Sequence, residues 1–109
     1  MRVPVRARRP ATLFAALGDP TRLRLLARLS SQGPSSLTAL TQGSGVTRQA
    51  VTKHLRVLAG AGLVRGSRTG RLSVWRLERR QLEEARRSLD QISRQWDQAL
   101  GKLKLFVER

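Results

Sequence analysis

From Glu78 to Glu108 the chain contains no proline and meets its first glycine only at Gly101. Along that run Leu82, Ala85, Leu89, Ile92, Trp96, Ala99, Leu103 and Phe106 recur at alternating steps of three and four. Such spacing keeps apolar side chains on one seam of a long helix. A chain of 109 residues builds one modest core and has little interior in which to hide eight seam positions. The seam therefore predicts a second copy of the chain facing it, with Leu13, Phe14 and Leu17 of an N-terminal helix joining the interface. Packing within a single chain is the competing explanation, and an effector pocket lined by Trp96 is a third.

The preceding residues are cut into short pieces. Residues 1–10 hold four Arg and two Pro and predict a flexible basic arm, either a plain tail or a segment that follows DNA; residues 11–109 form the single domain. Thr12 to Gly18 reads as a short helix closed by glycine. Asp19 is then an N-cap with Pro20 at the first helical position, where a missing N–H costs nothing. In the helix that follows, Leu23, Leu26, Ala27 and Ser30 lie on one stripe that Leu25 and Leu29 widen, leaving Arg22, Arg24 and Arg28 outside it. After the breaker Ser30 to Pro34, Ser35 or Ser36 caps a third helix, Leu37 to Gln42, with Leu37 and Leu40 as its buried edge.

Gly43-Ser44-Gly45 turns the chain into Val46 to Ala59. There Thr47 is the N-cap, and Ala50, Val51, Leu55 and Leu58 make an apolar stripe. Arg48, Gln49, Thr52, Lys53 and Arg56 make the opposite face, and Gly60 and Gly62 end the helix. Leu63 to Arg68 and Arg71 to Leu77 alternate as two strands around a basic tip. The fold class is thus mainly α with a small β-hairpin.

Charge is divided as sharply as structure. Before position 77 Asp19 is the sole acid against fourteen Lys and Arg, a balance of +13 out of the chain's +15. The last 33 residues carry eight bases and six acids. A polyanion is the natural partner of the first part, and double-stranded DNA fits best. A helix offering Arg, Gln and Thr suits the major groove, where Arg bonds guanine, Gln bonds adenine, and the Thr methyl meets thymine. Arg48, Gln49 and Thr52 are the expected base readers; Thr47, Lys53, His54, Arg56, Arg68 and Arg71 are the expected phosphate contacts, with His54 serving alternatively in helix packing.

Together these motifs resemble the ArsR/SmtB family of bacterial winged helix-turn-helix repressors. The resemblance runs from about Leu13 to the C-terminus and rests on Leu17-Gly18-Asp19-Pro20-Thr21-Arg22-Leu23-Arg24-Leu25-Leu26, on Val51 to Leu58 followed by Ala61-Gly62-Leu63-Val64, and on a wing with Gly70-Arg71 and Trp75. It implies a homodimer, joined through its N- and C-terminal helices, that represses a promoter at an imperfect palindrome. Metal-sensing members hold their effector through Cys near the reading helix or through His and carboxylates on the terminal helices. With no Cys and one His, this chain lacks such a ligand set, and no cofactor is expected.

Other classes fit less well. There are no paired carboxylates, no nucleophile beside a His and no phosphate loop, so an enzyme is not expected. A membrane binder needs its basic face beside its apolar one, whereas here they lie on different parts of the chain. The absence of Cys, of an apolar span and of a signal-like run after the basic start suggests a cytoplasmic protein, nucleoid-associated when bound to DNA. An architectural DNA-binding protein without sequence preference is the alternative function.

Overall fold

The computed structural model describes residues 10–108. The basic arm therefore lies outside the described residues, apart from Pro10. That proline opens the first helix, α1 (Pro10–Leu17), where a fixed φ and a missing N–H are tolerated. Leu13 and Ala16 of α1 are buried. Gly18 is not left-handed, contrary to the expectation of a glycine cap. The chain turns instead at Asp19, whose carboxylate accepts from the Arg22 N–H at 3.0 Å to start α2 (Pro20–Gln32).

In α2 the buried residues are Leu25, Leu26 and Leu29, whereas Leu23, Ala27 and Ser30 of the expected stripe face solvent. The inward side of α2 is the 22, 25, 26 and 29 side, where three leucines enter the core and Arg22 Nε donates to Ala16 O at 2.6 Å. Ser35–Ser36 then forms a strand, β1, and Ser36 also caps α3 (Leu37–Thr41) by accepting from Ala39 N. Thr47 likewise caps α4 (Arg48–Gly60), and Gly62 follows at φ 77°.

Strands β2 (Val64–Thr69) and β3 (Leu72–Leu77) pair antiparallel from Val64↔Leu77 to Thr69↔Leu72, leaving Gly70 and Arg71 as the turn. Gly70 takes the positive φ, 63°, that such a two-residue connection favours. The sheet has a third strand that the sequence did not suggest, because β1 pairs with β3 through Ser35↔Trp75 and Ser36↔Val74. Across the ladder, Trp75 lies over Gly66, where an added Cβ would come within 2.9 Å of the indole ring.

One core joins these elements: Leu13, Leu25, Leu29, Leu40, Val51, Leu55, Leu58 and Leu63 are all almost completely covered. The final helix, α5 (Arg79–Val107), enters that core only through Ala85 and the buried Gln81, with Leu82 packed at its edge. Its 29 residues extend about 43 Å at 1.5 Å per residue, and the described chain is 68 Å along its longest axis. From Leu89 on, every seam position is open: Leu89 is 53% exposed, Trp96 64% and Phe106 74%.

The expected interface is therefore redistributed. Leu13, assigned from sequence to the partner contact, is 1% exposed and belongs to the chain's own core, because α1 must cover α2, α4 and the start of α5. Phe14 and Leu17 are half-buried against that core, as is Leu82, while Leu89, Ile92, Trp96 and Leu103 remain exposed.

Candidate nucleic-acid interface

What α4 buries decides what it shows. With Val51, Leu55 and Leu58 held inward, Arg48, Gln49, Lys53 and Arg56 are exposed and Thr52 half-buried beside them. These five residues line a shallow concavity of about 480 Å³. The structure thus brings together all five members of the expected outward face. The side chains of Gln49, Lys53 and Arg56 make no hydrogen bond or ion pair among the described residues, so their donors point to solvent.

The other two are partly engaged. Arg48 Nη1 donates to Thr38 Oγ1 of α3 at 3.1 Å, and Thr52 Oγ1 donates to Arg48 O at 2.9 Å. The first contact leans the guanidinium across the turn between the two helices. The second occupies the Thr52 hydroxyl proton and leaves its methyl and lone pairs for a ligand. Thr47 is exposed, with its hydroxyl accepting from Ala50 N at 3.1 Å.

His54 is not on this face. Its side chain is 23% exposed, with Nδ1 3.8 Å from Asp19 Oδ2 and 3.3 Å from Arg22 Nη1. Position 54 lies between Val51 and Leu58 at steps of three and four, on the border of the buried stripe, and that spacing was the signal for packing over phosphate contact. The Asp19 carboxyl is held below its ordinary 3.8, chiefly by the Arg22 backbone N–H. Partial burial opposes the shift, while the Arg22 charge reinforces it.

Sequence reasoning missed three supporting side chains: Thr38, Arg22 and Arg28. Arg28 Nη1 donates to Leu40 O and Gln42 O, each at 2.9 Å, and Nη2 to Ala39 O at 2.7 Å. One guanidinium thus satisfies the orphan carbonyls at the end of α3 and fixes the turn that delivers α4. Nothing in the composition separates such an arginine from a solvated one; only the proximity of a helix C-terminus does.

At the wing, Arg68 and Arg71 are exposed, Arg71 in the turn itself. Arg65, further back on β2, is tied to Glu78 at 3.2 Å. The sole acid before position 77, Asp19, is engaged at the α2 cap and beside His54, and no carboxylate lines the outward concavity of α4. Trp96 lies on the projecting part of α5, away from a cleft of about 550 Å³ between the end of α4, the start of β2 and the start of α5. Among the described residues no group of three His, Asp or Glu could hold a metal, and no helix is long and apolar enough to cross a membrane.

Known proteins resemble this chain in sequence and in fold. Residues 17–67 match a family described as a helix-turn-helix domain. The HTH-type transcriptional regulator Rv2034 of Mycobacterium tuberculosis is 37% identical over 93 residues, covering 85% of this chain and 83% of that protein. The uncharacterized HTH-type transcriptional regulator YuzN of Bacillus subtilis is 43% identical over 68 residues, 57% of this chain and 74% of its own length. Among solved structures, an ArsR-like transcriptional regulator from Rhodococcus superposes with a TM-score of 0.74 at 35% identity, over 89% of this chain and 91% of that one. The homodimeric winged helix-turn-helix DNA-binding domain Mb0332 of Mycobacterium bovis superposes with a TM-score of 0.59 at 26% identity, covering 83% and 80%. The AntR antimony-specific transcriptional repressor gives 0.60 at 31% identity, covering 80% and 79%.

Proposed function

Because this chain belongs to the ArsR family of winged helix-turn-helix transcriptional regulators, we propose that it acts as a homodimeric repressor that reads an imperfect palindrome with α4 of each subunit. The regulator reads DNA and is not an enzyme. The observation that carries the finer reading is the uninterrupted outward face of α4, where Arg48, Gln49, Thr52, Lys53 and Arg56 line one concavity with no acidic neighbour. Arg48, Gln49 and Thr52 contact base edges, Arg48 leaning from the Thr38 hydroxyl. Thr47, Lys53 and Arg56 hold phosphates at the rim, and Arg68 and Arg71 bring the wing tip onto the backbone or into the minor groove.

The dimer is supported by the open seam of α5, and by Mb0332, whose structure is that of a homodimer. Repression is supported by AntR, a transcriptional repressor of similar fold. Two-fold symmetry of the protein then demands two half-sites about one helical turn of DNA, roughly 34 Å, apart. Fragments of the source genome selected by the full-length protein and then footprinted should show two such protected half-sites. Uniform protection of every fragment would instead establish an architectural protein that binds without sequence preference.

A further inference from the structure

Three helices meet at one polar point behind the reading face. Arg22, in the first turn of α2, closes the end of α1 by donating through Nε to Ala16 O at 2.6 Å and through Nη2 to Ala15 O at 3.4 Å. Its Nη1 lies 3.3 Å from His54 Nδ1, in the middle of α4. Asp19 Oδ2 takes the Arg22 backbone N–H at 3.0 Å and stands 3.8 Å from the same imidazole nitrogen. Arg22, Asp19 and His54 are all half-buried.

A guanidinium has donors and no acceptor. Its approach to Nδ1 is a hydrogen bond only when that nitrogen carries a lone pair, which places the ring proton on Nε2. The alternative tautomer, with the proton on Nδ1, would turn the imidazole from Arg22 to Asp19, but at 3.8 Å that contact is too long for a hydrogen bond. We infer that Arg22 is the positioning residue of the reading helix: it offers its guanidinium to His54 Nδ1, which sets the ring proton on Nε2, and it ties the middle of α4 to the carbonyl end of α1.

The consequence reaches the dimer. Since α1 packs on the start of α5, the Arg22 fork links the helix that meets a partner subunit to the helix that meets DNA. This inference rests on the proposed role of α4, and it assigns Arg22 no contact with DNA of its own. Lysine at position 22 keeps the charge, but a single ammonium cannot serve two α1 carbonyls and an imidazole with the geometry of the fork.

The test uses the full-length protein, Arg22→Lys, His54→Asn and His54→Leu. Imidazole nitrogen–proton correlation spectra report the tautomer, titration with a selected operator fragment reports affinity, and sedimentation reports the oligomer. The wild type should show Nε2 protonated and Nδ1 bare, and Arg22→Lys should show both tautomers. Arg22→Lys should lose about tenfold or more in operator affinity, the order expected for a charge-assisted hydrogen bond, with its oligomeric state unchanged. His54→Asn offers its Oδ1 as acceptor near the place of Nδ1 and should keep more affinity than His54→Leu. An Nδ1-protonated wild type, or Arg22→Lys binding as tightly as wild type, overturns the inference. A wild type that selects no DNA refutes the proposed function separately, and the tautomer spectrum still decides the Arg22 contact.

Discussion

Helices α4 and α5 are both amphipathic, yet they stand in opposite relations to their own chain. The apolar stripe of α4 is covered by α2, α3 and the sheet, so everything it leaves exposed is polar or basic except Val57 and the terminal Gly60. Beyond its first turns α5 has its apolar stripe uncovered and its charges mixed. The difference teaches where the unit of stability ends. A single chain is enough to hold α4, whereas the distal part of α5 has nothing of its own chain to cover it.

The largest effect expected from this contrast comes from placing the same charge on the two stripes. Leu55→Glu puts a carboxylate into the closed core and should unfold the chain, as circular dichroism would record. Leu89→Glu should leave each chain folded and lose at least about 3 kcal/mol of association, more than a hundredfold in the monomer–dimer equilibrium. A Leu89→Glu variant that sediments as a dimer at micromolar concentration would erase the distinction drawn between the helices.

On the α4 side, Arg48→Ala should cost about 1 to 3 kcal/mol on a selected operator and little on random DNA, with folding unaffected. Equal losses on both would assign Arg48 to the phosphates. A smaller and less selective effect is expected at the wing. Arg71→Ala should weaken all DNA alike and lower the slope of log affinity against log salt by about one unit, measurable in titrations at several salt concentrations.

The smallest effect concerns the corner that aims α4. The carboxyl of Asp19 titrates below its ordinary 3.8 in the folded chain, so its contribution to stability is complete above that value. The contribution disappears as pH falls through the lower folded value. Asp19→Asn should therefore be less stable than wild type at neutral pH and converge with it in strong acid, a trend that melting curves between pH 2 and pH 7 resolve. Parallel curves would show that the cap draws nothing from its charge.

Legibility followed the range of the interaction. Asp19 and Thr47 act on backbone three residues away, and their caps were readable because cause and effect share one segment. The outward face of α4 was readable for the same reason, being the complement of one helical stripe. Strand β1 was not, since two serines become a strand only when β3 lies beside them. Arg22 and Arg28 escaped because their acceptors are carbonyls 6 to 14 residues distant, brought near by the packing of other helices. Leu13 was misplaced by an ambiguity that periodicity cannot remove: an apolar residue on a short terminal helix looks the same whether its own chain or another covers it.

The isolation of distal α5 bears on how such regulators diversify. Past Leu89 the helix is exposed at every residue and supports nothing in its own chain, so substitutions there leave the reading face as it was. On the roles proposed for the two helices, two descendants of a gene duplication become unable to mix subunits through changes in this segment alone and still recognise the ancestral operator, whereas changes on the face of α4 alter the operator and not the choice of mate. Mating and address are thus separately mutable, and a cell can keep many copies of one architecture without crosstalk.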